Sequence, residues 1–394
     1  MPCSTGSPPD PWGKRPMADT GSMAPRILVV AGEASGDLHG GHLLQALRRR
    51  CPAARLVGVG GAQMGAAGLE LLADVKQLSA AGLVEIVGSI PRHWRVMRQL
   101  KRQMDRQRPD AVVLVDYPGF NQFVAREAHR RGIPVLFYIA PQVWAWGQGR
   151  ARRMAGFIDR LAVIFPFEEA IFNAHGRPFA RYVGHPLLDG LRVSAAPADT
   201  RLRHGFSLEQ PLLALMPGSR RSEVRLLLPD LLRAAALLKA DGWQVALLQA
   251  PTVDRAFLEQ VAGGPLPVPL IAGDTYNLLA AADAGLIASG TATLEAALLG
   301  CPPVIVYRFS WFTYLLARLV IGRRTMGLPN VVLGRWQFPE LVQRHVSPQA
   351  LVRAVRGLQA SRPQVEEAVT ELRSKMGPAG ASERAAELLL ELLP

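Results

Sequence analysis

The chain is poor in the residues and patterns that define several protein classes. Only three of its 394 residues are cysteine, Cys3, Cys51 and Cys301, odd in number and widely spaced. That excludes a disulfide framework and points to a reducing compartment. His39, His42, His185 and His204 lack metal-ligand spacing, so no metal or other cofactor is expected. Long apolar runs are missing. The uncharged stretch 132–149 holds Pro134, Pro141 and several Gly and Gln, and reads as a buried strand and a loop, not a membrane span. Residues 1–24 contain Pro8, Pro9, Pro11 and Pro16 but no apolar core of a secretory signal, and read as a disordered leader. Charged residues make up only 20% of the chain against 49% hydrophobic, the reverse of a disordered composition. Acidic residues are in deficit, 32 against 45 Lys and Arg, for a net charge of +13. The leader's own charges cancel, so the excess sits in the folded part. It asks for an anionic partner: nucleic acid, a membrane surface or a phosphorylated substrate.

What is present is repeated. Continuous apolar runs at 26–31, 55–58, 110–116, 134–140, 161–165 and 182–184 alternate with helical patterns at 38–50, 121–131 and 167–174. Such runs suit strands covered on both faces, so the pattern predicts a parallel α/β sheet. It weakens over 185–210 and restarts with strands at 212–216, 244–250, 268–271, 284–288 and 303–307. The expected organisation is a domain at 25–190, a linker at 191–210, a second domain at 211–345, and helices at 346–394 that pack back across the domains or on a partner chain. The two α/β halves are expected to face each other across a central cleft.

Four strand ends carry polar, glycine-rich stretches. Gly32-Glu33-Ala34-Ser35-Gly36-Asp37 follows the first strand. It is either a capped turn or a loop lining the cleft, and its cluster of small and polar residues favours the loop. The spacing of the dinucleotide fingerprint is absent. Asp116-Tyr117-Pro118-Gly119-Phe120-Asn121 follows the strand at 111–115. Asp116 is a general base or a cap for the turn, and the residues alone leave the two even. Pro217-Gly218-Ser219-Arg220-Arg221-Ser222-Glu223 suits a diphosphate; the alternative is a solvated Arg pair with Glu223 closing the helix start. Ser289-Gly290-Thr291-Ala292-Thr293-Leu294-Glu295 places amides and hydroxyls at a helix start, an anion site. Glu295, one turn in, can accept from the paired hydroxyls of a ribose. His185 reads equally as structural or as lining the cleft.

Two basic segments carry apolar stripes. In residues 91–108, Trp94, Met97, Leu100 and Met104 fall at helical spacing among seven Lys and Arg. The stripe faces either the core or an anionic membrane. Residues 311–321 are apolar almost all round and flanked by Arg308, Arg318, Arg323 and Arg324, and so are buried or in contact with lipid.

These motifs occur in order with Pro141-Gln142-Val143-Trp144-Ala145-Trp146, Phe165-Pro166-Phe167-Glu168, Val183-Gly184-His185-Pro186 and Leu328-Pro329-Asn330. From about Arg26 onward the chain resembles the lipid-A-disaccharide synthase family. The resemblance implies a GT-B fold of two Rossmann-like domains, the first binding the acceptor and the second the UDP-sugar. It implies inverting, metal-independent transfer from UDP-2,3-diacylglucosamine to 2,3-diacylglucosamine 1-phosphate. The products would be UDP and the β-1,6-linked disaccharide 1-phosphate of lipid A. By the resemblance Asp116 is the general base. Gly218, Ser219 and Arg220 lie by the diphosphate with Ser289, Gly290, Thr291 and Thr293. Glu295 takes the ribose and Asn330 belongs to the same cleft. Glu33, Ser35, Gly36, Asp37 and Asn121 belong to the acceptor side. Peripheral attachment to the cytoplasmic face of the inner membrane and a homodimer are also expected, with no nucleic-acid partner. The rival readings are another UDP-sugar glycosyltransferase or a UDP-sugar epimerase on the same fold.

Overall fold

The structure is a computed structural model that describes residues 24–78, 83–143, 149–174, 177–308 and 327–393, with the backbone alone over 83–90. It contains two compact units: residues up to Asp189 together with Pro378–Pro394, and Gly190–Gly377.

The first unit is built on a sheet of seven parallel strands: β1 (Arg26–Ala31), β2 (Arg55–Gly60), β3 (Glu70–Asp74), β4 (Ala111–Val115), β5 (Val135–Tyr138), β6 (Arg160–Val163) and β7 (Ala180–Tyr182), in the order β3-β2-β1-β4-β5-β6-β7. β4 and β5 are buried at every position, and β1 at all but its first. Full burial requires helices on both faces, which is why these strands read as unbroken apolar runs. On one face Leu28, Val112, Leu114 and Phe137 pack against Val124 and Ala128 of the helix Pro118–Arg130 and Val96, Leu100 and Met104 of the helix Leu83–Arg106. The helix Ala34–Arg50 buries Leu43, Leu44 and Leu47 and packs on the C-terminal helix Ala381–Leu390.

The second unit carries a six-stranded parallel sheet: β8 (Leu212–Met216), β9 (Gln244–Leu248), β10 (Leu270–Ile271), β11 (Ala284–Ala288), β12 (Pro303–Tyr307) and β13 (Glu340–Val342), in the order β10-β9-β8-β11-β12-β13. In each unit the chain lays strands outward in one direction and then returns to the centre to build the other way. The reversal falls between β1 and β4, and between β8 and β11. In an open parallel sheet that reversal leaves a crevice at the carboxyl ends of the two central strands.

Several expectations change. The edge strands β3 and β13 were not foreseen: their apolar stretches, 71–73 and 341–342, are short and bounded by acidic or polar residues, and β13 is only half-buried throughout. The segment 191–210 is not a free linker: it holds the helix Pro197–Arg203 and belongs to the second unit. Arg201 ties it to the Ala281 carbonyl and to Asp283 at 2.7 Å. The C-terminal helices divide, with Pro348–Ala360 and Arg362–Met376 in the second unit and Ala381–Leu390 in the first. On the helix Leu83–Arg106 the inward stripe is Val96, Leu100 and Met104, whereas Trp94 is 62% exposed among Arg92, Arg95 and Arg98. The leader, Trp144 and Trp146, and the segment 311–321 lie outside the described residues.

Two histidines lie near Asp189, the residue that caps the docked C-terminal helix. Asp189 caps its start, accepting from the amides of Gly380, Ala381 at 3.3 Å and Ser382 at 3.2 Å. His185 is buried against Phe165, with Nδ1 accepting from the Leu187 amide at 3.1 Å. Burial lowers His39 to about 4, helped by His42, and lowers His185 to about 3, helped by His39; Asp189 opposes both. The groups are neutral in the folded unit and have an ordinary value near 6.5 when released. The released state therefore binds more protons as pH falls below about 6.5, and docking weakens from there down to pH 3–4. Hydrogen exchange across 381–390, corrected for intrinsic rates, is expected to accelerate over that window. Protection that does not change with pH would contradict this.

Candidate functional site

In the first unit the residues singled out by sequence gather at the β1/β4 reversal. Ala31 lies beside Val115 in the ladder, so the two loops leave adjacent strands. Asp116 and Tyr117 both adopt left-handed backbone, with φ of 51° and 50°. For non-glycine residues that costs on the order of 1–3 kcal/mol each and needs compensating contacts. Asn121 supplies some: it is fully buried, and its Nδ2 donates to the carbonyl of Asp116 at 2.7 Å and of Val115 at 3.3 Å. Tyr117 Oη donates to the Leu78 carbonyl at 3.0 Å and lies 3.0 Å from His93 Nε2. Its ring covers Gly32 so closely that a Cβ there would come within 2.0 Å of it. The strained turn thus holds Asp116 at the strand end. Burial raises the Asp116 carboxyl above the usual carboxylate range and the charge of Glu33 adds to this, against the lowering effect of the Tyr117 amide.

The neighbouring positions separate by role. The expected loop is short: the helix begins at Ala34, with Glu33 as its N-cap. Ser35, Gly36 and Asp37 therefore lie in its first turn, with Glu33 and Ser35 exposed and Gly36 buried against Ala31 and the Val115 carbonyl. Asp37 is buried, and its carboxylate accepts from the amides of Gly61 at 2.6 Å, Gln63 at 3.1 Å and Met64 at 3.0 Å. Asp37 therefore caps a neighbouring short helix, and Asn121 braces the turn. Asp37 acts through backbone, and so does Asn121 by its Nδ2, while the buried Asn121 Oδ1 has no hydrogen-bond partner among the described residues.

In the second unit the loops after β8 and β11 leave neighbouring strands, Met216 lying beside Ile287. The helix Thr291–Leu299 begins without a side-chain cap. Thr293 is buried and turned back onto the Gly290 carbonyl, its Oγ1 donating at 2.7 Å. The amides of Thr291 and Ala292 make no hydrogen bond to any described residue, and a Cβ on Gly290 would meet nothing within 4 Å. This helix start is open. The start of the helix Arg221–Ala240 is closed. Glu223 accepts from the amides of Ser219 at 3.2 Å and Arg220 at 3.3 Å, and from Arg220 Nη1 at 3.1 Å. Gly218 is required there: its φ is +119°, and a Cβ would come within 2.5 Å of Glu223. The Arg220 side chain is 80% exposed, so its guanidinium is available beyond its contact with Glu223.

Burial raises the Glu295 carboxyl above its ordinary range, and a hydrogen bond from Tyr276 opposes the rise. The Tyr276 hydroxyl donates to Glu295 Oε1 at 3.1 Å, and burial together with that carboxylate pushes its own value up to about 12. Tyr276 was not foreseen, because it lies on another helix and no local pattern links it to Glu295. Asn330 is a brace. Its Nδ2 donates to the Phe338 carbonyl at 2.8 Å and to Glu340 at 2.7 Å, while Oδ1 accepts from the amides of Gln337 at 3.0 Å and Phe338 at 2.8 Å. All four of its hydrogen-bonding positions are used, leaving none for a ligand. No group of three or more His, Cys, Asp or Glu among the described residues is placed to hold a metal ion.

Two parallel α/β units, each with its polar residues at a sheet reversal, define an architecture of two Rossmann-like units. Solved structures agree. The calicheamicin glycosyltransferase CalG4 aligns with a TM-score of 0.60 at 20% identity, covering 95% of this chain and 100% of its own. A putative UDP-N-acetylglucosamine 2-epimerase from Listeria monocytogenes aligns at 0.60 with 13% identity, covering 93% and 95%. These likenesses show the GT-B fold alone. The sequence decides further: the family model for lipid-A-disaccharide synthetase matches residues 27–389. Lipid-A-disaccharide synthase of Syntrophus aciditrophicus is 42% identical over 93% of this chain and 97% of its own. That of Myxococcus xanthus is 41% identical over 94% and 98%. The chain belongs to the lipid-A-disaccharide synthase family, glycosyltransferases of lipid A biosynthesis.

Proposed function

We propose that the protein transfers a diacylglucosamine unit from its UDP ester to the 6-hydroxyl of 2,3-diacylglucosamine 1-phosphate, with inversion at C1. The observation that carries the reading is the open helix start at Ser289–Thr291, set one strand from Arg220 and one turn before Glu295. Amides and a guanidinium suit a diphosphate, and a carboxylate suits the ribose diol. Asp116 takes the proton from the acceptor hydroxyl as it attacks C1. The C1–O bond to the diphosphate breaks, and UDP leaves with the bonding pair. Arg220 and the helix start stabilise that charge. Glu33 and Ser35 belong to the acceptor side.

The test uses donor with and without acceptor. UDP is expected to form in step with disaccharide, and only when both substrates are present. Conversion of the nucleotide sugar without acceptor would favour an epimerase and overturn the reading.

The exposed Trp94 beside Arg92, Arg95 and Arg98 supports peripheral attachment to an anionic membrane surface. No helix among the described residues is long and apolar enough to cross a membrane. Binding to vesicles containing anionic lipid is expected to fall as salt rises, and Trp94→Ala to weaken it. Binding indifferent to salt would contradict this.

A further inference from the structure

We propose that Tyr276 is a positioning residue for nucleotide recognition: its hydroxyl fixes the Glu295 carboxylate in the orientation that accepts both hydroxyls of a ribose. The proposal rests on the ribose assignment above and adds to it a residue outside every motif.

The hydrogen bond joins two separate helices. Tyr276 is on Thr275–Ala281, Glu295 on Thr291–Leu299, and the contact is 3.1 Å from Oη to Oε1. The helix bearing Tyr276 is itself pinned. Asp274 meets His204 Nε2 at 2.7 Å and accepts from Asn277 Nδ2 at 2.6 Å. Asn277 Oδ1 accepts from the amides of Ser194 at 2.8 Å and Ala195 at 3.2 Å. The segment once expected to be a linker thus anchors the phenol. A glutamate side chain rotates about three bonds, and a fixed donor on one oxygen removes most of that freedom. An ionised carboxylate accepts about four hydrogen bonds, so one given to Tyr276 leaves room for a diol. Without Tyr276, the carboxylate has to be ordered at the expense of binding.

The test measures dissociation constants of UDP and of 2′-deoxy-UDP for the wild type, Tyr276→Phe, Glu295→Ala and the double variant. The wild type is expected to prefer UDP. Tyr276→Phe is expected to weaken UDP by about five- to tenfold, the worth of one hydrogen bond, and to change 2′-deoxy-UDP little. In the Glu295→Ala background, where no acceptor remains for the phenol, the same change is expected to do nothing to either. Tyr276→His, which keeps a ring donor, should restore part of the preference and also serves if the Phe variant folds poorly. Equal weakening of both nucleotides, or none of UDP, would overturn the proposal while leaving the ribose assignment intact. A wild type that binds UDP but does not distinguish it from 2′-deoxy-UDP would overturn the ribose assignment and the proposal with it.

Discussion

Asp116→Asn is expected to lower kcat by about 10³-fold, within the usual range for a positioned general base, with the dissociation constant of UDP unchanged. The substitution keeps the size of the side chain and an oxygen that can accept from the Tyr117 amide, and the other contacts holding the turn come from Asn121, Tyr117 and Leu78. The strained turn therefore survives, and the loss reports chemistry. UDP is untouched in this account because the donor groups belong to the second unit. The pH profile gives a second reading. Burial and the nearby charge of Glu33 both raise the Asp116 carboxyl. The acid limb of kcat/KM is expected above the ordinary aspartate range, where a base works closer to neutral pH. Removing the like charge with Glu33→Gln favours the ionised carboxylate, so that limb should move to lower pH. A wild-type kcat in Asp116→Asn would remove the residue from the base role.

Arg220→Ala is expected to cost about 10²-fold in kcat, the scale seen when one donor to a developing negative charge is removed. Charge on the diphosphate grows as the C1–O bond breaks, so the loss should fall more on kcat than on KM. Arg220 is open to that role, being 80% exposed and held among the described residues by Glu223 at 3.1 Å. Arg220→Lys should recover the activity in part, because a point charge cannot reproduce the planar fork on two phosphate oxygens. A change in KM alone would show that Arg220 binds ground state and transition state equally.

The interior of the fold was legible in the sequence because buried parallel strands write themselves as apolar runs. β1, β4, β8 and β11 and the loops after them were each foreseen, and those loops carry the candidate site. The edges were not legible. β3 and β13 bury too little surface to leave a run. Trp94 was placed on one stripe with Leu100 and Met104 because helical spacing alone does not distinguish adjoining faces, and the packing of Val96 separates them. Asp37, Asn121 and Asn330 have the right chemistry for ligands, yet each is taken up mainly by backbone groups that no local pattern marks as its partners. Asn121, for example, holds the Asp116 carbonyl at 2.7 Å. Only three dimensions show where a polar side chain is already committed. Tyr276 was invisible for the converse reason, its partner lying on another helix.

The central claim is tested most directly by the mass and linkage of the product formed by the purified protein from a donor and an acceptor bearing different, defined acyl chains. The account predicts one new species, a disaccharide 1-phosphate carrying all four chains with a β-1,6 linkage, formed in step with UDP. An α linkage, a product lacking either sugar's chains, or a rearranged nucleotide sugar would contradict it.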